Sequence, residues 1–491
     1  MLPTLEDHLR RSTRNFTTPL PEADALALGR DLALELARAH AESPPRHPPV
    51  EPAAIALVDG KPRLEGGTTR GSVAEDLFEL GALVHSLAAA TPPDVSWRLD
   101  GPPPTQGSIL HRGLVLGLAS PRRERRFLSA QDAARAFESA LKAETGGAHP
   151  WPLFRGDTAR RGVAAGTAKG GLSVLWEAAT GAVVSSPVLT ASLAISATAD
   201  GRLVFVDRSS GRLVHELRLG SAIESSPALL GNELHIGTDD GEYIAVDVVR
   251  GEIARRVRLG QVVRSSPLLA GEFAVVGAID PKGDGALVAL EAASGKLAWR
   301  LKLKAVFSSA ALAGDRVITG SDDGSLHAAY LAKGTLAWSH ALGSKVRATP
   351  ALSGAVAVVG DFAGRLVAVA LEDGARVWAV ELGAALYSSP CLAEGLAVVG
   401  ANDGRIHGVD LATGATRFVV ETRGPVVASP VAVGGRFVVG STDGDLYVID
   451  TQGSVVQKTT LAPTGISSSP ALDGELLVVG SARGVHALRL A

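Results

Sequence analysis

The chain has 491 residues, enough for two or more domains or one large repetitive one, with 48 basic against 51 acidic side chains. That balance excludes a global field for nucleic acid or an anionic membrane, so any partner has to be recognised locally. A single cysteine, Cys391, excludes an internal disulfide framework and a multi-cysteine metal cluster and fits a reducing compartment.

The start, MLPTLEDHLRRSTRNF, is charged from Glu6 onward and offers no apolar stretch of signal-peptide length. Nor does any segment hold the roughly 18 consecutive apolar residues of a membrane span. A cytoplasmic location is expected. Residues 22–41, EADALALGRDLALELARAHA, place Leu28, Leu32 and Leu36 at helical spacing behind Pro21 and Glu22, which suit a helix start. Helical patterns recur from Val73 to Ala90 and from Ser129 to Ala143, the second with Ser129 as N-cap. Residues 1–145 are therefore expected to form a small, mainly helical domain, followed by a linker and lead-in over 146–170.

From Ser185 the sequence repeats itself. SSPVL, SSPAL, SSPLL, SSAAL, ATPAL, SSPCL, ASPVA and SSPAL put Pro187, Pro227, Pro267, Ala310, Pro350, Pro390, Pro430 and Pro470 at one register, spaced 40, 40, 43, 40, 40, 40 and 40. A strand-rich unit of about 40 residues is the period of a four-stranded propeller blade, so residues 171–491 predict an all-β, eight-bladed propeller. In SSPALLGNELHIGTDDGEYIAVDVVRGEIARRVRLG, apolar runs are separated by Gly231-Asn232, Asp240-Gly241 and Arg250-Gly251, the glycine-bearing turns of four antiparallel strands. The Asp-Gly turn recurs at Asp200, Asp284, Asp323, Asp403 and Asp443, while Ala363 and Arg483 precede the glycine elsewhere. The last unit stops after three strands, whereas LSVLWEAA, 172–179, stands alone before the first. This early strand is expected to complete the last blade and remove an exposed sheet edge.

Positions that vary inside a fixed repeat are free of the common structural demand. Three residues before the register position stand Val184, Glu224, Arg264, Phe307, Arg347, Tyr387, Val427 and Ser467. They are expected to ring one mouth of the central channel, with Glu224, Arg264, Phe307, Arg347, Tyr387 and Ser467 as a recognition surface. The three-residue insertion, Asp280 to Asp284, falls in a hairpin expected on the same face. His327, His407 and His486 share one repeat position with Tyr447; set in different blades, they are expected as packing residues, and no metal site is expected.

WPLFRGDTARRG, 151–162, followed by repeats of the form SSP, DG, LVALD and SGKLAW, resembles the quinoprotein-like family of eight-bladed propellers. That family takes in the pyrroloquinoline quinone dehydrogenases and many non-catalytic proteins. The resemblance implies an outer-strand tryptophan that docks neighbouring blades, matched by Trp299, Trp338 and Trp378, and by Trp176 with a one-residue shift. His215, Arg255, Phe418 and Gln457 replace it elsewhere and are expected to weaken the docking. The quinone enzymes place calcium beside the cofactor, an aspartate base and often a vicinal disulfide; one cysteine excludes the disulfide, and no acidic and amide residues group beyond the turn aspartates. No cofactor and no catalytic residue are expected. An outer-membrane assembly propeller of the same family would need a signal peptide and a lipid-attachment cysteine, and neither is seen near the start.

TLEDHLRRS and the helix after it are similar to the start of the C-lobe of a bacterial serine/threonine protein kinase. Where such kinases carry His-Arg-Asp-x-Lys-Pro-x-Asn-Ile, His47 to Ile55 has Pro49 for the catalytic aspartate, Glu51 for the lysine and Ala54 for the metal-binding asparagine. Gly66 begins the segment at the Asp-Phe-Gly position. Two later stretches, EDLFELGALVHSLAAATPP and SPRRERRFLSAQDAARAFESAL, resemble further C-lobe segments. The resemblance implies a truncated, degenerate lobe without nucleotide binding or phosphoryl transfer. The sequence thus leads to a monomeric, non-catalytic interaction or ligand-sensing protein that meets a protein partner or small ligand at the propeller face. A propeller enzyme with an unrecognised cofactor is the alternative.

Overall fold

A strand packed between neighbouring blades must be apolar on both faces, whereas the outermost strand of a blade meets solvent on one. The computed structural model follows this division. In the second blade, Glu233–Gly237 and Glu242–Asp247 are largely buried on both faces, and Glu252–Arg258 alternates between exposed and half-buried. The structure describes residues 22–41, 55–58 and 61–64, positions 77, 80, 83, 84, 133 and 134, and then 150–166, 171–463 and 465–490.

Eight four-stranded antiparallel sheets form the propeller. Seven are built in sequence order. The eighth takes Ala471–Asp473, Leu476–Gly480 and Val485–Leu490 from one end of the repeat array and its outer strand, Leu172–Ala178, from the other. The register runs Leu172↔Leu490, Ser173↔Arg489, Val174↔Leu488 and, past a bulge, Trp176↔Ala487. The unpaired strand therefore closes the ring, as its position predicted.

All eight hairpins between second and third strands turn on a glycine at positive φ, seven of them on the repeat's own turn glycine, from Gly201 (86°) to Gly484 (149°). The third blade differs from expectation. Its turn runs over Asp280 to Gly283, with Gly283 at 78°, and Asp284-Gly285 lies inside the strand Asp284–Glu291. The inserted residues lengthen both strands and move the turn off the Asp-Gly pair.

Neighbouring blades meet at a recurrent ladder position. Trp299 pairs with Ala289, Trp338 with Ala328, Trp378 with Ala368 and Trp176 with Ala487. The bulges thus erase the one-residue offset of Trp176. Each indole Nε1 donates to a carbonyl of the next blade: Trp176 to Arg208 (2.8 Å), Trp299 to Leu331 (2.6 Å), Trp338 to Leu371 (3.0 Å) and Trp378 to Leu411 (2.8 Å). The ring lies on a glycine at positive φ; a Cβ at Gly334 would come within 2.5 Å of Trp299. The four replacements also reach across. His215 Nε2 meets the Gly251 carbonyl at 3.0 Å, Arg255 donates to Ala292 at 2.8 Å, and Gln457 exchanges two bonds with Leu172 at 2.6 and 2.8 Å. Phe418 covers Gly453. At these seams other cross-blade contacts replace the indole bond: Arg255 reaches the carbonyl position that the tryptophans use, His215 the turn glycine, and Gln457 the outer strand of the next blade.

In the N-terminal part, Glu22–Ala41 is helical. Its buried stripe is Ala25, Leu26, Leu32, Ala33 and Leu36, while Leu28 is half-buried and Leu34 exposed, so the stripe is rotated slightly from the predicted one. Leu77, Leu80, Leu83, Val84, Ala133 and Ala134 are helical and buried, within the two other patterns. Ile55–Val58 and Lys61–Leu64 form an antiparallel hairpin that the helix-and-loop expectation did not contain. Pro49, Glu51, Ala54 and Gly66 lie outside the described residues.

Candidate functional site

The eight innermost strands converge on the propeller axis and surround a cavity of about 460 Å³. Four layers build it. At the mouth stand Val184, Glu224, Arg264, Phe307, Arg347, Tyr387, Val427 and Ser467, so the structure brings together all six residues predicted as a recognition surface.

These mouth side chains are held by the turns of the preceding blades. Arg264 grips Asp239 through Nε (3.0 Å) and Nη2 (2.8 Å), with Glu224 at 3.3 Å. Arg347 grips Asp322 in the same two-pronged way, at 2.9 and 2.7 Å. Its guanidinium lies 4.1 Å from the Phe307 ring centroid and 5.2 Å from Phe362, and Phe362 tilts against Tyr387 at 4.4 Å. A bidentate, ring-stacked guanidinium has few alternative rotamers, so the mouth is fixed in advance. The hydrogen-bonded carboxylates raise the pKa of both arginines, and burial raises that of Glu224 against the opposing effect of Arg264. The segment before Arg264 bonds the inserted hairpin through Gln261 N to Ile279 O at 2.7 Å, placing the insertion beside the mouth.

Beneath the mouth runs a belt of hydroxyls. Ser186 N donates to Ser226 Oγ, Ser226 N to Ser266, Ser266 N to Ser309 and Ser309 N to Thr349, at 2.8 to 3.2 Å. Thr349 N continues to Ser389, then Ser429 and Ser469, and Ser469 N returns to Ser186, at 2.9 to 3.1 Å. The second residue of each SSP-like triplet therefore belongs to a hydrogen-bonded circle that joins all eight blades. Sequence reasoning took the triplet only as a register mark.

The third layer comes from WPLFRGDTARRG, the lead-in segment, which lies within the ring. Arg155 is buried and donates to the carbonyls of Pro390 (2.7 Å) and Pro430; Arg160 donates to Ala310 (3.0 Å) and Pro267 (2.9 Å). Both arginines have positive φ, 68° and 57°, an unfavourable backbone state that turns the two guanidiniums to opposite sides of the axis. Burial lowers the pKa of each, that of Arg160 to about 9. The motif glycines are explained by contact: a Cβ on Gly156 would strike Trp151, and one on Gly162 would strike Arg155.

The backbone of the same segment is the fourth layer. Leu189, Leu229, Leu312, Leu352, Leu392 and Ala432 donate to carbonyls of Trp151, Pro152, Thr158, Ala159, Arg161 and Gly162. It circles the axis, and Phe154 lines the cavity from this side. The channel is thus a cup with a floor.

His327, His407 and His486 do not converge. His327 bonds Ser339 (2.8 Å) and Asp323 (2.9 Å), His486 bonds Ser481 (2.7 Å), and Tyr447 bonds Asp443 (2.7 Å). Among the described residues no group of three His, Cys, Asp or Glu could hold a metal ion. The carboxylates at the cup are each committed to a guanidinium. The calcium-assisted quinone site of the dehydrogenases therefore does not fit these side chains. Cys391 is buried against Gly162 O, and burial pushes its thiol up to about 11, far from a reactive thiolate.

Residues 159–277, 256–389 and 322–491 match a family model described as outer membrane protein assembly factor BamB. The crystal structure of BamB from Moraxella catarrhalis is similar with a TM-score of 0.55 and 20% identity, over 65% of this chain and 97% of that one. A europium-containing methanol dehydrogenase is similar with a TM-score of 0.61 and 12% identity, over 67% and 89%. The computationally designed protein Ika8 has a TM-score of 0.56 and 17% identity, over 67% and 99%. BamB, a dehydrogenase and a computational design share the fold, so the likeness carries no activity. Among curated proteins no match was found.

Proposed function

The chain belongs to the PQQ-repeat family described as outer membrane protein assembly factor BamB, and from that premise we propose that it is a non-catalytic binding protein whose propeller presents the cup mouth to its partner. The observation that carries this is the pre-set mouth: Arg264 and Arg347 are each locked on an aspartate, beside Phe307, Phe362 and Tyr387. Rigid aromatic and arginine side chains around a concave floor are the groups that dominate recognition surfaces. Among the described residues that line the cup no nucleophile stands hydrogen-bonded to a base. Residues 1–145 complete the proposal as a kinase-like lobe without chemistry, on the strength of Pro49, Glu51, Ala54 and Gly66. Among the described residues no helix is long and apolar enough to cross a membrane.

Affinity capture with the full chain, comparing wild type with the Arg264→Ala, Arg347→Ala double variant, tests the binding face. Loss of the specifically captured partner is expected; unchanged capture by a folded variant counts against it. Absorbance and mass spectrometry of purified protein test the enzyme alternative, since a bound quinone would show in both.

A further inference from the structure

All eight belt side chains are at least nine-tenths buried and line the cup. A hydroxyl has one proton to donate and two lone pairs. Each belt oxygen accepts a backbone N–H from the neighbouring blade. None of them donates its own proton to a described protein group. A converging circle of O–H donors is left facing the cavity without a protein acceptor, so its protons are available to whatever enters the cup.

Charge selects among the possible acceptors. The cations around the cup and its floor are Arg155, Arg160, Arg264, Arg347 and Lys345; the carboxylates paired with them are Glu224, Asp239 and Asp322. Five against three leaves two positive charges uncompensated, those of Arg155 and Arg160. These two donate to neutral carbonyls immediately beneath the belt, while the nearby Asp157 is held by Arg161 at 2.8 Å. A concave site with low-dielectric walls focuses such a field into its opening.

We propose that the cup binds a small organic anion, with a carboxylate or phosphate group seated in the hydroxyl belt above Arg155 and Arg160 and its body against Phe307 and Tyr387. This rests on the cup being a binding site and names the chemistry of what enters it. A neutral polyol would satisfy the hydroxyls and leave the field unused. A cation would be repelled by the two charges of Arg155 and Arg160.

Titration calorimetry on the full chain with citrate, with inorganic phosphate and with neutral glycerol tests the inference. One of the two anions is expected to bind one to one, more weakly as salt rises, and glycerol not at all. Val427 lies at the mouth and offers no side-chain hydrogen bond, so Val427→Asp adds a negative charge without removing a partner; it is expected to weaken anion binding roughly tenfold. Val427→Arg is expected to strengthen it. Citrate binding without phosphate binding assigns a carboxylate head, and the reverse assigns a phosphoryl head. Failure of both anions to bind, or binding indifferent to Val427→Asp, overturns the inference. Partner capture that still depends on Arg264 and Arg347 would then leave the binding reading standing, whereas anion binding with capture indifferent to those arginines would separate the two in the other direction.

Discussion

Arg347 shows how a rim side chain can be rigid without carrying the fold. It is 28% exposed, so its ion pair with Asp322 is partly screened and its ring contacts lie at the surface. Arg347→Ala is expected to cost about 1 kcal/mol in a urea titration while changing ligand binding far more. A fully buried titratable group behaves differently. His235 Nδ1 shares a 2.6 Å hydrogen bond with Tyr243 OH, and burial lowers its pKa to about 4 against an ordinary 6.5. The unfolded chain therefore binds more protons between those values, so this contribution is complete above pH 6.5 and is lost as pH falls toward 4. The loss is of order 2–3 kcal/mol. His407 and His486 are lowered by burial in the same direction. Thermal melts should fall across this window, and His235→Asn, which keeps an acceptor for Tyr243, should flatten the fall; an unchanged slope would refute the assignment. At this scale the mouth residues were legible because they vary where the repeat is constant. Their partners carried a signal that was missed. The doubled aspartates of TDDG and SDDG occur only in the blades before Arg264 and Arg347, 25 residues upstream in each case.

At the scale of the element, the seam between blades sets most of the demands on sequence. Trp299 joins an indole bond, a glycine contact and burial at one point. Trp299→Ala is expected to cost about 3–5 kcal/mol, and His215→Ala, which removes the bond to Gly251 and a tilted ring contact with Phe205, about 1–2 kcal/mol. Equal losses in denaturant unfolding would show that the seams do not differ as their contacts suggest. Opposite Phe418 the third strand carries Gly408, where a Cβ would fall 2.3 Å from the ring. Gly408→Ala should therefore destabilise by about 1–3 kcal/mol through overpacking. Hairpins and strands were readable from turn glycines and alternation. The third blade was misplaced because its insertion supplies a second glycine, and only the strand pairing decides which one turns.

For the whole molecule, the closing strand and the axial segment are the long-range devices. Leu172→Asp with Trp176→Ala is expected to detach Leu172–Ala178 from Val485–Leu490 and expose the edge of a blade. Sedimentation should then show concentration-dependent self-association and calorimetry a lower Tm; a monomer of unchanged Tm would contradict closure by this strand. The period, the blade number and the closing strand follow from the sequence alone, because each blade repeats the same local solution of apolar middle strands and glycine turns. Local pattern also marked the mouth. Only the tertiary structure decided that WPLFRGDTARRG floors the channel, that the serines of SSP join in a circle and that the channel is a cup. Those features depend on hydrogen bonds between residues as far apart as Ser186 and Ser469, or Arg155 and Pro390, which a one-dimensional period brings into contact only when the ring shuts.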